Sequence, residues 1–184
     1  MAPIDEVVQA LDALLDPAAF DDYGPNGLQV PGRPEVRRLV TGGTAQRALI
    51  ERAVELDADL VLVHYGLFWK FVPAGLTPVL AERVRPLFKH DVAPAAYHLP
   101  LDAHPEVGNN ALLAEHLDYA RPRGVRRDRS GRQLRRRCNA REAGIHFIAA
   151  GHYATETFGV RRLGDWLADA FGLEHHWIDI LNPV

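Results

Sequence analysis

The chain has 184 residues, 47% of them hydrophobic and 24% charged, with a formal net charge of −3. That length suits one domain with a substantial core, and that balance excludes a disordered or fibrous chain. A single cysteine, Cys138, excludes an internal disulfide framework and points to a reducing compartment. No run approaches the roughly 18 apolar residues of a membrane helix. The opening MAPIDE shows no basic stretch ahead of an apolar one, so no signal peptide is expected and the expected location is cytoplasmic.

Apolar residues at 4, 7, 8, 11, 14 and 15 have helical spacing, and Pro17 ends that helix. Residues 21–32 (DDYGPNGLQVPG) are rich in Gly, Pro, Asn and Asp and are expected to form a loop. Residues 36–41 make a short strand, after which Gly42, Gly43 and Thr44 turn into a helix over 45–56. Residues 59–63 (DLVLV) have the length and continuous apolarity of a buried strand. A helix over 78–88 and a strand over 92–97 follow, then a helix over 109–117. Between Arg121 and Arg141 stand ten arginines and one acid, Asp128. Such a run can serve a nucleic acid or another anionic partner. No aromatic residue interleaves with the arginines, however, so a solvated connector is the plainer expectation. Beyond it come a short helix over 139–143 capped by Gly144 and a strand over 145–150. Next is a helix with Val160, Leu163, Trp166, Leu167, Ala170 and Phe171 on one face, closed by Gly172, and last a strand over 176–181.

Strands alternating with helices imply a layered α/β fold, its largely parallel or mixed sheet flanked by helices. Residues 1–118 form an N-terminal α/β part and 119–138 an arginine-rich connector. Residues 139–184 are then expected to complete the same domain.

In such sheets ligands lie beyond the carboxyl ends of the strands. His64 follows DLVLV, His98 and Asp102 follow the strand ending at Tyr97, and His152 follows the strand ending at Ala150. Glu156 is four residues after His152, on the same face if a helix begins there. Imidazoles and carboxylates together suit zinc, iron, manganese or nickel. Taken singly, each residue also has a structural reading: a strand-end histidine, a capping aspartate, a helix-start pair. The segment 41–44 (TGGT) could receive an anion at a helix N-terminus, but it lacks the lysine of a phosphate loop and reads more simply as a turn. His104 could support the site or lie on the surface, and His175 and His176 lie away from the proposed edge.

Five blocks carry a resemblance: DDYGPNGLQVPG (21–32), VTGGTA (40–45), VHYGLFWK (63–70), YHLPLDAHPEVGNN (97–110) and AAGHYATE (149–156). In them the chain resembles the Nif-three-like dinuclear metal-centre family, also described as GTP cyclohydrolase I type 2 homologues. The resemblance implies an α/β protein that assembles as a toroidal hexamer with paired metals. The family's ligands are a consecutive His-His pair, the aspartate of the HLPLD block, and the His and Glu of GHxxxE. They fall on His64, Asp102, His152 and Glu156.

Tyr65 stands where the family has the second histidine of the pair, which implies one tight divalent metal and a second weak one. The family's longer middle region is replaced here by the arginine segment. The implied function is a metal-dependent, cyclohydrolase-like hydrolase of a small molecule, with Glu156 as bridge or base. The alternatives are a non-catalytic metal-binding or metal-delivery protein, and an interaction protein with a vestigial site.

Overall fold

A computed structural model describes residues 1–72, 75–117 and 151–181. The arginine segment and the helix and strand expected over 139–150 lie outside the described residues. Strand β1 (Ala2–Pro3) leads directly into helix α1 (Ile4–Leu15), which buries Ile4, Val7, Leu11 and Leu15 on one stripe. Asp5 and Glu6 sit in its first turn, where they complement the helix dipole. Asp16 closes α1 in the left-handed conformation (φ 47°), its N–H donating to the Asp12 carbonyl. Strand β3 (Glu35–Val36) pairs antiparallel with β1.

The main sheet has five strands in the order β2-β6-β5-β4-β7. They are β2 (Gly27–Leu28), β4 (Arg38–Thr44), β5 (Leu60–Tyr65), β6 (Ala93–Ala96) and β7 (Glu174–Trp177). All neighbours are parallel except β2, which pairs antiparallel with β6 at the edge. Helices α2 (Arg47–Glu55) and α3 (Pro78–His90) pack on one face of the sheet. On the other lie α1 and α7 (Phe158–Phe171). The short helices α4 (Leu99–Ala103), α5 (Asn109–His116) and α6 (His152–Thr155) connect them.

Strand β5 shows why LVLV is apolar throughout. Leu60 and Leu62 point into the core shared with α1 and α7, whereas Val61 and Val63 point into the core shared with α2 and α3. A strand covered on both faces has no position for a polar residue.

Several boundaries differ from the sequence expectation. Gly42 and Gly43 do not turn: β4 continues through them to Thr44, with Gly42 opposite Val63 and Thr44 opposite Tyr65. The pairing overrides glycine's weak strand preference, because a Cβ on Gly42 would lie 2.6 Å from a methyl of Leu49 on α2. Helix α2 therefore starts only at Arg47, and the segment 41–44 is strand, not an anion cradle at a helix start. His64 and Tyr65 end strand β5 and do not follow it. Helix α4 was not expected, since Pro100 follows the strand end closely; the proline occupies the helix's first turn, where its missing N–H is no loss. The last strand is Glu174–Trp177, shifted toward the N-terminus, because it pairs with β4 only from Arg38 to Thr41.

Asp59 joins the strand starts. Its carboxylate accepts from the Arg37 and Arg38 N–H groups (2.8 and 2.9 Å) and from the Arg33 guanidinium (2.7 Å). Burial pushes this carboxyl up, but the N–H groups of Arg38 and Arg37 and the Arg33 guanidinium outweigh it and hold it below the usual range. Asp59→Ala should therefore lower the unfolding free energy by about 2–3 kcal/mol in urea denaturation at neutral pH. A depressed carboxyl stabilises only while ionised, so the difference from the unmodified protein should shrink as the pH falls below about 4.

Candidate metal centre

Four chain segments meet beyond the carboxyl ends of β5 and β6. His64, at the end of β5, is fully buried. Its Nδ1 lies 3.0 Å from the Tyr97 carbonyl. A carbonyl only accepts, so Nδ1 carries the proton and Nε2 keeps its lone pair. Among the described residues that Nε2 is the one buried side-chain nitrogen or oxygen atom with no hydrogen-bond partner. It faces Asp102 Oδ1 at 3.5 Å and Glu156 Oε2 at 3.8 Å. Burial holds the imidazole below its usual pKa despite these carboxylates, so the ring is neutral at pH 7. A buried lone pair turned toward two carboxylates is repulsive unless a cation or a proton lies between them.

His98 follows β6 and caps α4, its N–H donating to Asn26 Oδ1 at 2.8 Å. Its Nδ1 is 2.7 Å from Asp22 Oδ1, which leaves Nε2 as the free donor atom. Asp22 comes from the 21–32 loop and also accepts from Asn26 Nδ2 (2.9 Å) and from the N–H groups of Leu99 (2.8 Å) and Tyr23 (2.7 Å). Burial pushes the Asp22 carboxyl up, but these bonds and His98 hold it low. Burial likewise pushes the His98 imidazole down, and Asp22 overcomes it and holds the ring above its ordinary value. Such a carboxylate behind an imidazole fixes its orientation and raises its basicity as a ligand.

Asp102 lies on α4, four residues after His98, and so on the same face. It is buried and its Oδ1 accepts from Asn109 Nδ2 at 2.9 Å, while its carbonyl accepts from Asn110 Nδ2 at 2.9 Å. Asn109 in turn accepts from the Gly159 N–H at 2.7 Å, tying α7 to the site. Burial pushes the Asp102 carboxyl up. The ligand atoms of His64, His98 and Asp102 all lie within 4.8 Å of one another. Two imidazole nitrogens, one of them otherwise unpartnered, and one carboxylate fit a divalent cation.

His152 begins α6 and Glu156 caps its C-terminal end. They face each other, His152 Nδ1 lying 2.8 and 2.9 Å from the two Glu156 oxygens. Tyr65 closes this group. Its hydroxyl is 2.9 Å from His152 Nδ1 and donates to Glu156 Oε2. Burial and then Glu156 push the phenol well above its usual pKa, so it stays protonated. His152 stands at the rim with its side chain 78% exposed.

Of the residues selected from the sequence, His64 and Asp102 fall in one group of donor atoms and Glu156 lies 3.8 Å from His64, while His152 turns to Glu156 and Tyr65 at the rim. It adds His98, which strand position had singled out but which was left out of the ligand set. The four-residue spacing to Asp102 was the signal that could have included it. Asp22 and Asn109 had no signal of their own in the sequence. His104 accepts from the N–H groups of Glu106 (3.2 Å) and Val107 (3.1 Å) within its own turn. His175 contacts Thr41 Oγ1 (2.7 Å) and Asp165 Oδ1 (2.9 Å), remote from the cluster in role.

The sequence model of the Duf34/NIF3 family (NGG1p interacting factor 3) matches residues 2–134 and 132–183. The two matches meet inside the arginine segment. The chain is 38% identical to a Pseudomonas aeruginosa protein named GTP cyclohydrolase 1 type 2 homolog, over 97% of this chain and 97% of that one. It is 37% identical to a Vibrio cholerae protein of the same name, over 95% of this chain and 96% of that one. The first alignment spans 245 residues against the 184 of this chain, so the relative carries internal residues absent here. Among solved structures, the Thermus thermophilus protein TTHA1606 superposes with a TM-score of 0.86 at 30% identity, covering 99% of this chain and 100% of that one. The protein ybgI superposes with a TM-score of 0.83 at 32% identity, with the same coverage. By sequence and by fold, the chain belongs to the Duf34/NIF3 family.

Proposed function

We propose that the chain binds a divalent cation (zinc, iron, manganese or nickel) tightly between His64, His98 and Asp102 and is a metal-dependent hydrolase of a small molecule. The observation that carries the proposal is the buried, unpartnered Nε2 of His64 facing two carboxylates. Glu156 and His152 stand at the edge of the same cluster and would hold a second, weaker cation, with Tyr65 in place of an imidazole. A bound cation would supply Lewis acidity toward a carbonyl or phosphoryl oxygen and make water more acidic. Glu156 is the carboxylate placed to accept a proton, and Asp22 and Asn109 keep His98 and Asp102 aimed inward.

The relatives' name points to ring-opening hydrolysis of GTP. The second reading is a metal-holding protein without catalysis, and the engagement of Glu156 by the Tyr65 hydroxyl favours it. Activity of the metal-loaded protein on nucleotides separates the two. Self-assembly, which the resemblance implies, is supported by the exposed Phe71, Leu76 and Val79, which are 73%, 65% and 62% accessible. No described helix is long and apolar enough to cross a membrane.

Elemental analysis of the purified protein should find about one tightly held metal per chain. His64→Ala and His98→Ala should each deplete it, whereas His175→Ala should not, because both His175 nitrogens are already bonded to Thr41 and Asp165. Equal metal content in all three variants would remove the site. Tyr65→His should raise the metal-to-chain ratio by supplying a nitrogen donor at the rim.

Asp22→Asn tests the support behind His98. It should weaken cation affinity roughly tenfold to hundredfold. It should also lower the His98 pKa, since burial then acts without the carboxylate; NMR titration of the imidazole reads this directly.

A further inference from the structure

One oxygen of this site has two claimants. Glu156 Oε2 is the atom that accepts the Tyr65 hydroxyl proton, and it is also the Glu156 atom 3.8 Å from the orphaned Nε2 of His64. We propose that Tyr65 is a hydrogen-bond lock that withholds Glu156 from the cation held by His64, His98 and Asp102. This rests on the metal-binding reading above and says how its affinity is set.

The proton count supports it. Tyr65 has one proton, and it points to Glu156. His152 Nδ1 lies 2.8–2.9 Å from both Glu156 oxygens and 2.9 Å from the phenol oxygen, so it carries a proton and donates. Two donors therefore satisfy Glu156. The cluster divides in two: the group of His64, His98 and Asp102, in which His64 Nε2 has no hydrogen-bond partner, and the group of Tyr65, His152 and Glu156, joined by hydrogen bonds of its own.

The lock is rigid on one side. Tyr65 is the last residue of β5, paired with Thr44, and its carbonyl accepts from the Ala45 N–H at 2.8 Å. Its ring packs against those of His98 (centroids 5.4 Å apart) and Trp69 (5.9 Å), which aims the hydroxyl toward Glu156. Glu156 stands at the end of a single helical turn, His152–Thr155. A lone pair engaged by a phenol hydrogen bond donates less to a cation, and a hydrogen bond to a charged acceptor is among the stronger ones. Tyr65→Phe keeps the ring and removes only the hydroxyl.

Calorimetric titration with zinc or manganese chloride tests this on four proteins: unmodified, Tyr65→Phe, Glu156→Gln and the double variant. Tyr65→Phe should bind the first cation roughly tenfold to hundredfold more tightly, the fold-change of one charge-assisted hydrogen bond. The double variant should lose that gain, and Glu156→Gln alone should lose much less affinity than it does in the Tyr65→Phe background. Equal or weaker binding by Tyr65→Phe, with the unmodified protein binding well, overturns the lock and leaves the metal site standing. A gain that survives in the double variant overturns the role of Glu156. No binding by any of the four overturns the metal reading, and the lock with it.

Discussion

The hydrogen bond from His64 Nδ1 to the Tyr97 carbonyl governs the site. It joins the ends of two adjacent parallel strands, β5 and β6, and it selects the tautomer. With Nδ1–H committed to the backbone, Nε2 must be a lone pair, and the fold has placed that atom where water does not reach. Everything else in the cluster is arranged around it. His98 comes from the next residue beyond Tyr97, and Asp102 one helical turn later. The sheet thus sets the distance between the imidazoles, and α4 sets the aspartate.

Rigidity is supplied from outside the donor set. Asp22 accepts four hydrogen bonds and holds the 21–32 loop against the start of α4. Asn109 bridges Asp102 and the first turn of α7, so the helix that packs on the opposite end of the sheet is also fastened to the site. The polar residues of DDYGPNG and of GNN therefore serve orientation. By contrast the Tyr65, His152 and Glu156 group is held by its own hydrogen bonds at a more exposed rim. The site therefore has a buried half oriented by residues outside it and a more exposed half held by its own hydrogen bonds.

Family membership and the shorter chain bear on different parts of the molecule. The chain superposes on the proteins ybgI and TTHA1606 with TM-scores of 0.83 and 0.86. The first relative's additional residues are absent here, and the two family matches meet at 132–134, between the portion carrying His64 and Asp102 and the portion carrying His152 and Glu156. Strand β7 still pairs with β4 and α7 still packs on the sheet, so the C-terminal portion reaches its place without them.

Period and composition were enough to determine the helix over Ile4–Leu15, the two-sided burial of LVLV and the helix closed by Gly172. Each depends on which side chains can be buried, a property local to a few residues. The strand-end position of His64 was legible for the same reason, since it follows from where an apolar run stops, whereas the strand expected before His152 lies outside the described residues. Tertiary structure alone decided that Gly42 and Gly43 remain in a strand, because the pressure to do so comes from Leu49 on another element. It alone decided that His64 joins His98 and Asp102 while His152 turns to Tyr65 and Glu156. Neighbours across 87 and 91 residues of sequence are set by packing and by which lone pairs find protons. No spacing along the chain encodes that.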